Sequence, residues 1–360
     1  MKNLLHKGLV VFSLIFSGAL LISYSAAFIN PQTLGFPAFF GLAFPYLLFV
    51  NLLFVLYWMF RRKWSFLLPL IVILIGYNSI GDFFQLSRGD KSISADLQPL
   101  NVLSYNVRSF DRYKWTKDPN TPNNIIKLIN SQEPDVVCLQ EYRSTPTGFL
   151  SLQSLMKELG MPYVHYSNRK NGVAIFSKYK MIKKASLSFG NENLCKAIFA
   201  DIRVEGKAIR IYNLHLESNR FIGKNYKFMK KGEYQGNEEE LDDIKDISLR
   251  LSQAFSRRAA QALQIKEHVK QSPHETLVCG DFNDTPNSYT YHQLSKDMKD
   301  AFVEQGVGIS TTYSGDFPSF RIDYLLYSQG ITCTKYDRIR KRYSDHYPIC
   351  ASFVFTPKEN

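Results

Sequence analysis

Cysteine is scarce in this chain of 360 residues, with five, at positions 138, 195, 279, 333 and 350, and none forms a CxxC pair or a Cys/His zinc spacing. That scarcity excludes a disulfide framework, so no essential disulfide is expected. Cys138 and Cys279 each lie inside an apolar run and read as small core residues. Internal repeats and low-complexity tracts are also missing, which excludes solenoid and collagen-like architectures. Charge is absent from residues 8–29, 38–60 and 64–80. Each of these runs approaches the roughly 20 residues needed to cross a bilayer. Three transmembrane helices are therefore expected, with Pro69 inside the third, the shortest.

The first run has two readings. Lys2 and Lys7 precede it and Ser25, Ala26 and Ala27 close it, as in a cleavable signal peptide, whereas its length favours a retained anchor. Lys2, Lys7 and the Arg61-Arg62-Lys63 loop predict that the N-terminus and that loop face the cytoplasm. Three spans then put everything after residue 80 outside the inner (plasma) membrane. Residues 1–99 hold seven Lys/Arg against three Asp/Glu, leaving 37 against 29 for the remainder. The polar region is thus basic in its own right, which suits either a solvated surface or a phosphate-bearing substrate near an anionic membrane.

Past residue 80 the composition becomes mixed. Residues 81–98 combine Gly, Ser and charge without a period and read as a tether, followed by a domain over 99–357. LNVLSYNV, PDVVCLQE, GVAIFSK, KAIFADIRVEG, KAIRIYNLHLES, ETLVCGDFND, FRIDYLLYS and HYPICASFVF read as strands. Thr121-Pro122 opens a helix whose Ile125, Leu128 and Ile129 share a face, and a second helix runs from Leu251 to Val269. Residues 219–247, rich in Lys, Glu, Asp and Gly, suggest an insertion or mobile loop. Many strands with few helices predict an α/β fold of two packed sheets flanked by helices.

Most of the chemistry-bearing residues sit just past apolar strands, where a sheet delivers side chains to one cleft. Asn106 and Glu141 offer hard oxygen donors suited to Mg2+ or Mn2+. Asp281 and Asn283, following a glycine, suit the orientation of a water and the holding of a phosphate oxygen. His215 and His346 bring imidazoles toward the same phosphate, with Asp323 as the candidate partner of His346. The pair Arg257-Arg258, and Arg257 in particular, is a candidate phosphate contact, although a solvated helix face is the commoner explanation.

In order and in kind, SYNVRSF, DVVCLQE, YNLHLES, GDFNDTPNS, RIDYLLYS and SDHYPI resemble the motifs of the endonuclease/exonuclease/phosphatase superfamily, which includes DNase I, exonuclease III, sphingomyelinases and inositol polyphosphate phosphatases. The resemblance covers about residues 100–356. It implies a four-layer α/β sandwich and divalent-metal hydrolysis of a phosphoester, with Glu141 as principal metal ligand, Asn106 nearby and Asp345 near the metal. It further implies Asp281 and Asn283 at the nucleophile and phosphate, His215 at the phosphate and leaving group, and Asp323 orienting His346. A membrane-anchored phosphodiesterase of the nuclease kind is the leading expectation. A lipid or inositol-phosphate phosphoesterase, sphingomyelinase-like, is the rival, and a non-catalytic anion-binding scaffold is the remaining possibility. Specificity would fall to loops 108–121, 144–170, 219–247 and 304–319. No protein partner is inferable.

Overall fold

The computed structural model describes residues 2–88, 98–167, 172–189, 196–231, 236–315 and 318–355. Cys195 and most of the expected tether fall outside these. The N-terminal region is a helical hairpin, α1 (Lys2–Ser25) and α2 (Phe36–Phe60), followed by a 3-10 turn (Trp64–Phe66), α3 (Leu67–Ile75) and α4 (Tyr77–Gly81). Two helices among the described residues, not three, are long and apolar enough to cross a membrane: His6–Ser25 and Phe36–Phe60. The third apolar run is broken at Gly76, where the Tyr24 ring crosses so closely that a Cβ would sit 2.0 Å from it, and the Tyr24 hydroxyl donates to the Val72 carbonyl at 3.1 Å.

Polarity in this bundle is inverted. Ser13, Ser17, Ser23 and Asn51 are buried, while Phe12, Ile15, Phe49, Leu56, Ile71 and Ile75 are each more than half exposed. The buried groups satisfy one another: Ser17 Oγ donates to Asn51 Oδ1 at 2.9 Å, and Asn51 Nδ2 donates to the carbonyls of Phe16 and Leu47 at 3.0 and 2.8 Å. Buried polar groups behind an apolar exterior are the arrangement a hydrocarbon solvent selects.

Fourteen strands follow among the described residues. They are β1 (Phe84–Gln85), β2 (Leu100–Asn106), β3 (Val136–Tyr142), β4 (Tyr163–Tyr166), β5 (Gly172–Ser177), β6 (Met181–Ser186), β7 (Lys196–Val204), β8 (Lys207–His215), β9 (Glu275–Asp281), β10 (Lys299–Asp300), β11 (Gly308–Ile309), β12 (Asp323–Tyr327), β13 (Ile331–Arg338) and β14 (Ile349–Phe355). Two six-stranded mixed sheets result, ordered β10-β12-β9-β8-β7-β6 and β13-β14-β2-β3-β5-β4. Between the helices of the hairpin region and the C-terminus lie α5 (Arg108–Asp111), α6 (Thr121–Asn130), α7 (Leu152–Glu158), α8 (Gly223–Lys230), α9 (Glu238–Lys270), α10 (Tyr289–Ser295) and α11 (Ala301–Gln305).

The sheets pack face to face over Val102, Val136, Cys138, Ile211, Leu277, Cys279 and their neighbours. Ile125, Ile129 and Leu155 of α6 and α7 cover the outer face of one sheet, and Ala262, Ile265, Tyr291 and Leu294 of α9 and α10 cover that of the other. This is the expected four-layer sandwich. Helix α9 begins at Glu238, thirteen residues before the expected start at Leu251. Asn237 caps it by accepting the Glu240 N–H at 2.9 Å, and Glu238, Glu239 and Glu240 complement the positive end of the helix. The 219–247 stretch therefore contributes α8 and the first turns of α9 among its described residues.

Candidate active site

Strand direction gathers the site. Strands β2 and β3 run parallel, as do β8 and β9, so their C-terminal ends deliver Asn106, Glu141, His215 and Asp281 to one edge of the sandwich. Strands β12 and β14 run antiparallel to β9 and β2, so the segments that enter them, Asp323 and Asp345-His346, arrive at the same edge. Asp323 lies directly across from Asp281.

Local backbone geometry aims these groups. Gly280, at φ 137°, passes so close to β8 that a Cβ would meet the Leu214 carbonyl oxygen at 2.0 Å, so only glycine can precede Asp281. Glu141 has φ 51° at a bulge in β3, which turns its carboxylate out of the sheet alternation. Residues 108–111 all have positive φ, a left-handed turn that non-glycine residues adopt only at a cost of about 1–2 kcal/mol each. It ends with Asp111 accepting the Trp115 N–H at 2.7 Å.

Asp281 is 1 % exposed. Its Oδ2 accepts from Asn106 Nδ2 at 3.0 Å and its Oδ1 from the Asn283 N–H at 2.8 Å. Burial, with Asp323 adding to it, pushes its pKa up to about 7 in spite of His346 and these two donors. His346 Nδ1 is 2.9 Å from Asp323 Oδ2, and its Nε2 is 3.7 Å from Asp281 Oδ2. Burial opposes the imidazolium, but the carboxylates of Asp323, Asp281 and Asp345 together outweigh it and raise the pKa to about 10. The Asp323 bond assigns a proton to Nδ1 and leaves the Nε2 proton facing the cleft. His215 Nε2 lies 3.8 Å from Asp281 and 4.0 Å from Glu141. Asn283 gives one amide proton to the Leu216 carbonyl at 3.1 Å, leaving its second available to a phosphate oxygen.

These groups line a cleft of about 270 Å³. Glu141, His215, Asp281, Asn283, Asp345 and His346 all reach it. Arg257 is not among its lining residues: it donates to Glu217 Oε1 at 3.0 Å, while its neighbour Arg258 faces the cleft, held by Asp284 Oδ2 at 3.0 Å and the Glu217 carbonyl at 2.9 Å. Arg108 also lines the cleft, 3.4 Å from Asp345. Arg258 is the second member of the basic pair marked in the sequence, whereas Arg108 does not stand out there, because a basic residue after a strand is ordinary. Gln140 and Asn213 tie the sheets together beneath the site, with Gln140 Nε2 donating to Asn213 Oδ1 at 2.7 Å and Asn213 Nδ2 donating to the Leu139 and Ala174 carbonyls at 2.9 and 2.8 Å. Their only sequence signal is a carboxamide inside an otherwise apolar strand.

The donor set fits a hard divalent cation. Glu141, Asp281 and Asp345 offer carboxylate oxygens to the cleft, while Asn106 is buried and not among its lining residues, its Oδ1 accepting the Arg108 N–H at 3.1 Å; the cost of ionising buried Asp281 is what a nearby cation relieves. The ligand atoms of Asp281, Asp323 and His346 also lie within 4.8 Å of one another. That trio is buried, with His346 bonded to Asp323, whereas the Glu141 side chain is 27 % exposed and lines the cleft.

Residues 103–346 match the Endonuclease/Exonuclease/phosphatase family. The chain belongs to that family. Residues 6–83 match a domain of unknown function. No curated protein matches the chain. Among solved structures, the endonuclease/exonuclease/phosphatase from Bacteroides vulgatus is similar at 16 % identity with a TM-score of 0.53, covering 72 % of this chain and 100 % of that one. A humanized D. rerio TDP2 shares 16 % identity with a TM-score of 0.51, covering 71 % and 98 %. The Bacteroides thetaiotaomicron mannosyl-6-phosphatase Bt3783 shares 15 % identity with a TM-score of 0.50, covering 71 % and 100 %. At these identities the likeness is one of fold, and membership of the family carries the phosphoesterase chemistry.

Proposed function

We propose that this chain is a membrane-anchored, divalent-metal-dependent phosphoesterase that cleaves phosphodiester bonds on the outer side of the inner membrane. The observation that carries the reading is the convergence of Asn106, Glu141, His215, Asp281, Asp323, Asp345 and His346 on one edge of the sandwich. Glu141, with Asn106 and Asp345 beside it, would hold Mg2+ or Mn2+, which when bound neutralises charge on the phosphoryl oxygens. Asp281 orients the attacking water and accepts its proton. The second amide proton of Asn283 and the imidazole of His215 bind the phosphate oxygens. His346, held as a cation by Asp323, presents its Nε2 proton to charge developing on phosphate and leaving oxygen.

Anchoring is supported by the apolar exterior of the helical bundle and by its orientation. The Arg61-Arg62-Lys63 loop lies at the end of α2 remote from the domain, while the opposite ends of the hairpin touch it. Basic residues mark the cytoplasmic end. The broken segment Trp64–Gly81 returns to the domain side, since Phe83 packs on Phe44 at 5.0 Å and its carbonyl accepts the Ser310 N–H at 3.2 Å. Hydrolysis of bis(4-nitrophenyl) phosphate by the purified full chain, with and without EDTA, tests the activity; protease accessibility of the domain in intact and in opened cells tests its side.

A further inference from the structure

The helical hairpin is built into the catalytic cleft. Phe39, Leu42 and Tyr46 fall on one face of α2 at helical spacing. Phe39 packs edge-on against Phe255 at 5.3 Å, Leu42 lines the cleft together with Glu141, His215 and Asp281, and Tyr46 meets Phe320 at 6.4 Å. The loop that follows Asp281 is fastened to the same hairpin. Asn287 Nδ2 donates to the Ser23 carbonyl at 2.9 Å in a buried bond, and Gly41 passes so close to the Asn287 carbonyl that a Cβ would lie 2.6 Å from it.

Helix geometry sets the depth of this wall. Leu42 is 19 residues from Arg61, about 28 Å at 1.5 Å per residue, and the hydrocarbon core of a bilayer is about 30 Å thick. With the basic loop at one interface, Leu42 stands at the other, level with lipid headgroups. Tyr46 and Phe49, just below it on α2, are 51 % and 60 % exposed. The cleft therefore has a polar floor suited to phosphate and, in Leu42 and Phe320, apolar side chains on the side of α2, whose exposed apolar face continues toward the acyl region.

Resting on the phosphoesterase reading, we infer that the substrate is a phosphodiester lipid of the adjacent leaflet, its phosphate seated over Glu141, Asp281 and His346 and its chain laid along α2, with Leu42 as a specificity-determining residue. Water adds its oxygen to phosphorus, one ester P–O bond breaks, and the departing oxygen takes a proton. A phosphomonoester and an alcohol result, one of them still in the bilayer.

The test uses the full chain reconstituted in vesicles, with Mg2+, comparing a vesicle phospholipid (dioleoylphosphatidylglycerol), soluble bis(4-nitrophenyl) phosphate and plasmid DNA. The lipid rate should rise with mole fraction at constant bulk concentration. Leu42→Asp should lower the ratio of lipid to soluble-diester turnover by at least about tenfold, and Leu42→Ala, which leaves the helix apolar, by about threefold. Metal-dependent cleavage of the soluble diester without lipid cleavage would overturn the inference alone, as would faster cleavage of DNA than of lipid, or a ratio unmoved by both variants. Failure to hydrolyse any of the three substrates overturns the phosphoesterase reading with it.

Discussion

The helical bundle and the β-sandwich solve opposite packing problems in one chain. In the bundle, Ser17 and Asn51 are inside and Phe12, Phe49 and Leu56 are outside; in the sandwich, Val136, Ile211 and Leu277 are inside and polar groups concentrate at one edge. The proposed membrane setting of the bundle accounts for the difference. Hydrocarbon offers no hydrogen bonds, so a bundle anchored in it would hide its few polar groups and have them bond one another. Water offers them freely, so the sandwich can spend its interior on apolar contact. A buried cluster such as Asp281, Asp323 and His346 is then costly, and that cost gives it chemical use.

The sharpest break in the comparison should come from the buried edge. His346→Ala or Asp281→Ala is expected to lower kcat on bis(4-nitrophenyl) phosphate by about 10² or more, with a folded protein by circular dichroism. Asp323→Asn removes the leading carboxylate that keeps His346 protonated. We expect about a 10²-fold loss in kcat and a shift of the alkaline limb of the pH–rate profile toward lower pH.

Stability should move the other way. The pKa of Asp281 in the folded protein, about 7, lies above its ordinary value of 3.8, so between those values the folded state binds more protons than the unfolded one. This group therefore reduces stability as pH rises from about 4 to 7. In metal-free protein, Asp281→Asn should raise Tm relative to wild type by an amount that grows over that window, read by thermal melts at several pH values. His346 changes stability in the same direction, at higher pH. Its folded pKa of about 10 exceeds the ordinary 6.5, so its contribution is complete below about 6.5 and is lost as pH rises through 10.

Within the bundle, Asn51→Leu should cost only about 0.6 kcal/mol in a membrane-mimetic unfolding assay, with kcat on the soluble diester kept. Arg257→Ala is expected to have the smallest effect, under about twofold on kcat/KM, because its guanidinium serves Glu217 and not the cleft.

How much of this was legible in the sequence depended on position in the sheets. Every expected strand is present, and the strands that escaped notice are edges or two-residue pairs. Strands β4, β6, β10 and β13 each end a sheet order, and β6 reads Met-Ile-Lys-Lys-Ala-Ser, with its lysines exposed. An edge strand has one unpaired side and tolerates charge, so it loses the apolar pattern that reveals a central strand. The third apolar run read as a continuous span because nothing in its own residues reports Tyr24 crossing at Gly76.

The groups that converge at the sheet edge were legible because strand ends tie residue type to location. Arg108 and Leu42 were not, since each reaches the cleft through contacts between distant segments. Arg257 shows the limit from the other side. Adjacent residues on a helix point about 100° apart, so reading a basic pair without the helix phase cannot choose between its members.

The most direct measurement is hydrolysis of bis(4-nitrophenyl) phosphate by the purified full chain as metal is removed and returned, in wild type and in Glu141→Ala. The account predicts that EDTA abolishes turnover, that Mg2+ or Mn2+ restores it in wild type, and that Glu141→Ala loses at least about 10² in kcat/KM with a weakened response to metal. Turnover that persists in EDTA, or a Glu141→Ala protein with wild-type rate and metal response, would contradict it.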